Sequence, residues 1–173
     1  MSTGLKGRFC LAVCVAVLVF GNFAGHSFGA DKARAGELSK ALGQVKLFSG
    51  LTDKERAALQ SAATLRRCKA GERIIEQGKP LEKLHIVLHG EAEVRVNGKL
   101  VATLPEQSLV GELEYLDGLP AAAEVAISKD TDLIEINNAA LTALMEKQPR
   151  LGYVLMGKFA RIEGQRLRAM DQK

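Results

Sequence analysis

Residues 84–98 read LHIVLHGEAEVRVNG, and their alternation of apolar and polar side chains decides the fold class. His85 and His89 fall on one side of an extended chain and are predicted to face solvent. The residues on the other side, and those that continue the alternation after Gly90, are apolar: Leu84, Ile86, Leu88, Ala92, Val94 and Val96. Asn97 and Gly98 tolerate the positive φ of a tight turn, so they predict a hairpin into a further strand.

Glycines punctuate the sequence around this hairpin at intervals of seven to thirteen residues. They stand at positions 71, 78, 90, 98, 111 and 118. This spacing is typical of short strands joined by turns. Residues 125–136 predict two more strands across a turn at 128–130. The pattern therefore favours an antiparallel barrel or sandwich with one packed core.

Helical periodicity flanks this β region. Residues 31–46 predict a linker with a short amphipathic helix, and Thr52 with Glu55 forms a capping box for a helix predicted to end near Thr64. Two helices follow Asn137. The apolar positions of the flanking helices recur at helical spacing: Leu38, Leu42, Val45, Leu141, Leu144, Met145, Leu155, Phe159 and Ile162.

The last predicted helix, Leu151 to Met170, has two interpretations. Its first half is expected to cover the barrel, while its second half either protrudes alone or pairs with a second copy. Gly157 and Gly164 weaken a free-standing helix, but they also let two helices approach closely. A homodimer through this helix is therefore one expected partner interaction.

The first 29 residues have the arrangement of a secretory signal peptide. Lys6 and Arg8 precede an uncharged apolar run at 9–20, and small side chains stand at Ser27 and Gly29. We expect cleavage after Gly29, with a linker at 30–46 and one domain at 47–173. The alternatives are an uncleaved membrane anchor and a buried N-terminal helix. With a cleaved signal or an anchor, the rest of the chain lies outside the cytoplasm, in the periplasm or secreted.

Composition excludes several functions. Without Lys6 and Arg8 the formal net charge of +4 falls to +2, and the chain has no Trp, so neither charge nor aromatic stacking supports nucleic-acid binding.

His85 and His89 lie about 13 Å apart along a strand, too far to share a metal. We find no nucleophile elbow, CxxC or HExxH motif and expect no enzyme activity. Cys68 is interpreted as a small buried hydrophobe, with a reactive or intersubunit thiol as the alternative.

The order of predicted elements resembles the cyclic nucleotide-binding domain family, in which a helix, eight short strands and two helices follow one another. The segments that carry the resemblance are LFSGLT at 47–52, KAGERIIEQG at 69–78, LHIVLHGEAEV at 84–94, GEL at 111–113 and DGLPAAA at 117–123. It covers about Val45 to Leu167. It implies a mainly β fold, an antiparallel β-roll or jelly roll with N-terminal and C-terminal helices.

The resemblance also implies a ligand site, in the segment that the family uses as a phosphate-binding cassette. Its counterparts here are Gly111, Glu112, Leu113, Ala121, Ala122 and Ala123. In the family, cassette amides and an arginine hold the cyclic phosphate, and the Gly-Glu carboxylate accepts the ribose hydroxyl. Gly111 and Glu112 are retained, but Ala121 stands at the arginine position. Gln107 stands where the family has a glycine, Val110 replaces a phenylalanine, and Glu124 replaces a Ser or Thr.

These departures predict a cassette that has lost its phosphate anchor. We therefore expect an exported regulatory or binding module that needs no cofactor and binds a protein partner or an atypical ligand. One alternative is a cyclic nucleotide sensor that uses backbone amides and Glu112 alone. The other is a structural subunit of an envelope complex. The family also includes regulators whose long helix leads into a DNA-binding helix-turn-helix, and no such element is expected in this sequence.

Overall fold

The computed structural model describes residues 27–171, with side chains from Ala33 onward. Most of the predicted signal segment lies outside these residues. The helices are α1 (Ser27–Gln44), α2 (Asp53–Leu59), α3 (Glu112–Asp117), α4 (Asn138–Lys147) and α5 (Pro149–Met170). The strands are β1 (Ala63–Cys68), β2 (Arg73–Ile75), β3 (Lys83–Val96), β4 (Lys99–Leu104), β5 (Leu109–Val110) and β6 (Glu124–Asn137). Among the described residues no helix is both long and apolar enough to cross a bilayer.

The strands form one antiparallel sheet in the order β1-β6-β3-β4, in which β2 also pairs with β6 and β5 with β3. The two long strands β3 and β6 run side by side from the Lys83–Asn137 pair to the Arg95–Glu124 pair. Helices α1 and α2 precede the first strand, and helices α4 and α5 follow the last one. The predicted class, an antiparallel β-roll with N-terminal and C-terminal helices, is confirmed.

Two local predictions about the strands were wrong. The described chain has six strands where eight were expected, and residues 128–130 continue β6 where a turn was predicted. The reason is a shared bend: β3 and β6 keep pairing through an irregular register near Gly90, which has φ +96°. The buried Thr131 hydroxyl accepts a hydrogen bond from the Glu91 N–H at 3.0 Å and stabilises the bend.

The capping box is confirmed, because Thr52 Oγ1 accepts from the Glu55 N–H and the Glu55 carboxylate accepts from the Thr52 N–H. The end of this helix was predicted wrongly. Helix α2 stops at Leu59, and Thr64 already lies in β1, where it pairs with Glu135 of β6. Pairing in the sheet therefore overrides the helical propensity of the alanines between them.

The apolar side chains form two clusters on opposite sides of the sheet. One cluster joins the helices to β3 and β6. It includes Leu38 and Leu42 of α1, Leu59 of α2 and Phe159 of α5. Helix α1 is thus packed into the core rather than free as a linker helix would be. The other cluster fills the interior of the roll and contains Cys68, Ile75, Val87, Ala121, Ile127 and Leu133.

His85 is buried, with 3% exposure, so the prediction that both histidines face solvent was wrong for His85 and right for His89. Both faces of β3 are covered here, one by helices and the other by the roll. His85 Nε2 lies 3.7 Å from a carboxylate oxygen of Glu135. Contacts with His85, Lys83 and Arg66 hold the pKa of Glu135 below its ordinary value, although burial opposes this.

Cys68 ends β1 with 2% exposure and is buried, as predicted. Burial raises the pKa of its thiol, which keeps it protonated near neutral pH. A buried, protonated thiol is a poor nucleophile, so the structure favours the interpretation as a small hydrophobe.

The first half of helix α5 covers the core, as expected, whereas the second half has exposed apolar side chains but still contacts β5 and α3 through Arg166. Leu151, Leu155 and Phe159 are buried, whereas Leu167 and Met170 are exposed. A Cβ atom at Gly157 or Gly164 would meet no atom within 4 Å. Packing within this chain therefore does not require these glycines, and the homodimer stays a prediction.

Candidate functional site

The candidate site is the cassette, residues 111–123, which leaves β5, forms α3 and returns to β6. Gly111 is the N-cap of α3 and has φ +93°, in the left-handed region that favours glycine. A Cβ atom on Gly111 would also lie 2.5 Å from Leu81 Cδ2. The tight turn places the next side chain, Glu112, inside the protein with 1% exposure.

Glu112 is held by an arginine of the C-terminal helix. Arg166 Nη1 of α5 donates to Glu112 Oε1 and, at 2.9 Å, to Glu163 Oε1. Its Nη2 donates to the Leu109 carbonyl oxygen at 2.7 Å. One guanidinium thus joins α5 to the end of β5 and to the first residue of α3.

Burial shapes the electrostatics of this junction. It lowers the pKa of Arg166, but a guanidinium stays charged at any physiological pH. Burial, and then the nearby charge of Glu114, raises the pKa of Glu163. A buried carboxylate needs a partner charge or several donors. Arg166 supplies this charge at Glu112 Oε1, while Glu112 Oε2 has no hydrogen-bond partner among the described residues.

The cassette amides also have partners within the chain. The Ala122 N–H donates to Glu114 Oε1 at 3.0 Å, and the Ala121 N–H donates to the Lys79 carbonyl oxygen at 2.8 Å. Here the Glu114 carboxylate presents negatively charged oxygen to one of them.

Ala121, at the family's arginine position, is 3% exposed and belongs to the apolar cluster inside the roll. A methyl group there cannot pair with a phosphate. Glu124, the other departure near the cassette, forms an ion pair with Arg73 at 2.8 Å. Gln107, where the resemblance places a glycine, has φ +70°, in the left-handed region that favours glycine.

The structure buries Glu112 and Ala121 and bonds the exposed Ala122 N–H to Glu114 of the same cassette, and the ligand-binding role of these residues stays a prediction. Leu113 instead is 42% exposed on the outer side of α3, and Ala123 is half-buried. Sequence reasoning missed Arg166 and Glu114. The three-residue spacing of Glu163 and Arg166 is typical of an ion pair along one helix, but no local signal relates Arg166 to a carboxylate 54 residues earlier.

Comparison with known proteins agrees with this geometry. Residues 65–148 match the family model of the cyclic nucleotide-binding domain. The chain is 33% identical to the cAMP-dependent protein kinase regulatory subunit of Mycosarcoma maydis over 61% of this chain and 22% of that protein. It spans less than a third of the curated relatives that it matches.

Solved structures show the same architecture. A cyclic nucleotide-binding domain from Methylobacillus flagellatus is 25% identical, with a TM-score of 0.67 and 81% of each chain covered. The regulatory subunit of a cAMP-independent protein kinase A from Trypanosoma brucei is also 25% identical. Its TM-score is 0.60, with 70% of this chain and 47% of that one covered.

A roll with a Gly-Glu turn, a short cassette helix and a covering C-terminal helix defines a regulatory class of domain. Residues 65–148 of this chain match that class as it is described by the cyclic nucleotide-binding domain family. Alanine stands at position 121, where the resemblance places the family's arginine. Of the polar groups in the cassette, Glu112 Oε1 is bonded to Arg166 and the Ala122 N–H to Glu114.

Proposed function

We propose that this chain is a non-enzymatic regulatory module that keeps the cyclic nucleotide-binding fold but binds a partner protein without cyclic nucleotide. The observation that carries the proposal is the bond between Arg166 and Glu112. One oxygen of the carboxylate that would accept a ribose hydroxyl, Glu112 Oε1, is already bonded to a cation of its own chain.

A cyclic nucleotide would have to displace contacts that the cassette already makes within the chain. A hydrogen bond to a charged group contributes about 1.5–3 kcal/mol net, or one to two decades in affinity. A nucleotide bound here would lack the contact between its phosphate and the family's arginine, because Ala121 stands at that position. It would also compete with Arg166 for Glu112 and with Glu114 for the Ala122 N–H. These losses together favour a site without nucleotide.

The comparison with the Trypanosoma brucei subunit supports the same conclusion. That protein is described as a regulatory subunit of a cAMP-independent kinase and has this fold. A domain of this family can therefore take part in regulation without cAMP.

Export is a further part of the proposal and rests on the sequence of residues 1–29. A module outside the cytoplasm is separated from cyclic nucleotides made in the cytosol, which fits a site without its phosphate anchor. A reporter fused after Lys173 should report an extracytoplasmic C-terminus, and reporter activity confined to the cytosol would contradict export.

Calorimetric titration of the full chain with cAMP, cGMP and cyclic dinucleotides tests the proposed function. We expect no binding heat at ligand concentrations up to the millimolar range. Glu112→Ala serves as the matched control. Micromolar binding to the wild-type chain that this substitution abolishes would contradict the proposal and identify a cyclic nucleotide sensor.

A further inference from the structure

A groove of about 1100 Å³ lies between α1 and β1, and none of its lining residues belongs to the cassette. Its volume is enough for a ligand of several residues. The apolar side chains that line it come from the helix, the edge of the sheet and β3: Leu38, Ala41, Ala63, Leu65 and Leu88. Leu65 is 37% exposed at the sheet side of the groove.

Strand β1 presents a free edge to this groove. In the sheet order β1-β6-β3-β4 it is a terminal strand, and it pairs only with β6, from Ala63–Ile136 to Cys68–Thr131. Within residues 27–171, no hydrogen bond from a turn, loop or side chain reaches the backbone of residues 63–68. Since alternate residues of an antiparallel strand point their N–H and C=O groups away from the partner, half of this backbone is available for another strand.

The charges around the groove are mainly positive. Its basic side chains are Arg34, Lys40, Arg66 and Arg67, and its acidic side chains are Glu37 and Asp132. Arg66 is bonded to Glu72 and Glu135, and Arg67 is 3.4 Å from Asp132. Among the described residues, Arg34 and Lys40 take part in no ion pair. An incoming segment with acidic side chains would therefore find cations on the α1 side.

From these features we propose that an extended acidic segment of a partner protein binds in this groove by adding to β1 as a further strand. Main-chain hydrogen bonds to β1 supply affinity, and alternate side chains supply specificity. The acidic side chains of the segment lie on the α1 side of the sheet, toward Arg34 and Lys40, and the alternating apolar ones lie on the opposite side, next to Thr64. This inference rests on the proposed function as a partner-binding module and names the surface and chemistry of that partner.

A short peptide of alternating valine and glutamate is the probe, and its match of alternating valine and lysine is the control. The full chain is titrated with each, and amide hydrogen exchange is followed along the chain. The acidic peptide is expected to bind and to slow exchange within residues 63–68. Combined Arg34→Glu and Lys40→Glu substitutions should weaken this peptide about tenfold and improve binding of the lysine peptide. Lys54→Glu with Lys147→Glu, at exposed sites outside the groove lining, should change neither.

Three outcomes would overturn the inference: no binding of the acidic peptide, equal binding of both peptides, or protection elsewhere than β1. Strand β4 is an internal comparison, because it is the other terminal strand and exposes Leu100 and Val101. Protection of β4 in place of β1 would contradict the assignment. The nucleotide titration tests the cassette, and the peptide titration tests this groove. A failure of the further inference can therefore be distinguished from a failure of the proposed function.

Discussion

Arg166→Met should lower the free energy of unfolding by about 3 kcal/mol, because it leaves the buried Glu112 carboxylate without its compensating charge. The bonds from Arg166 to Glu163 and to the Leu109 carbonyl are lost at the same time. The measurement is urea unfolding of the full chain followed by circular dichroism. In a chain of this length, each kcal/mol lost lowers Tm by roughly 2–4 °C.

A double-mutant cycle identifies the cause of this loss. In a Glu112→Gln background the buried group is neutral, so Arg166→Met should cost much less than in the wild-type chain. Arg161→Met is the matched control, since Arg161 lies on the same helix, is exposed and has no ion pair among the described residues. If Arg166→Met lowers the free energy of unfolding no more than Arg161→Met does, the contact between Arg166 and Glu112 does not stabilise the protein.

Gly90→Ala should destabilise the protein by about 4 kcal/mol or prevent folding altogether. The position has φ +96°, and an added Cβ atom would overlap the Asp130 carbonyl oxygen and the Thr131 hydroxyl and lie 2.8 Å from Thr131 Cα. Two of these atoms belong to the backbone of β6, so relief requires separating the two longest strands. Soluble yield and the unfolding midpoint are the measurements.

Gly98→Ala is the matched control for the bend. Gly98 also has a positive φ, +77°, but a Cβ atom there meets nothing within 4 Å. Its substitution should cost only the backbone strain, about 1–2 kcal/mol. Equal effects of the two substitutions would show that the close approach of β6 at Gly90 is unimportant.

The bend at Gly90 also explains which part of the fold the sequence predicts well. Alternation in 84–88 and 92–96 identifies the strands because each side chain reports its own local environment. It does not show whether two strands are separate or form one bent strand, since that depends on pairing between β3 and β6. His85 was misassigned for a related reason, as alternation predicts one exposed face and this strand is buried on both.

The candidate site shows the same division between local and long-range information. Gly111, Glu112 and Ala121 could be identified because the cassette is one continuous segment with a recognisable order. Arg166 could not, because its contact with Glu112 depends on where α5 packs against the roll. Arg166 is therefore the site residue that lies farthest from the cassette in the sequence, and sequence patterns do not identify it.

The proposed function depends on two bonds within the chain, from Arg166 to Glu112 Oε1 and from the Ala122 N–H to Glu114. Protein NMR of the full chain with and without millimolar cAMP tests this claim most directly. It follows the Arg166 side-chain resonances and the backbone amides of Glu112 and Ala122. The account predicts that these signals do not move, and that Arg166→Met shifts the Glu112 amide without any nucleotide. Saturable shifts of both amides on addition of cAMP to the wild-type chain would contradict it.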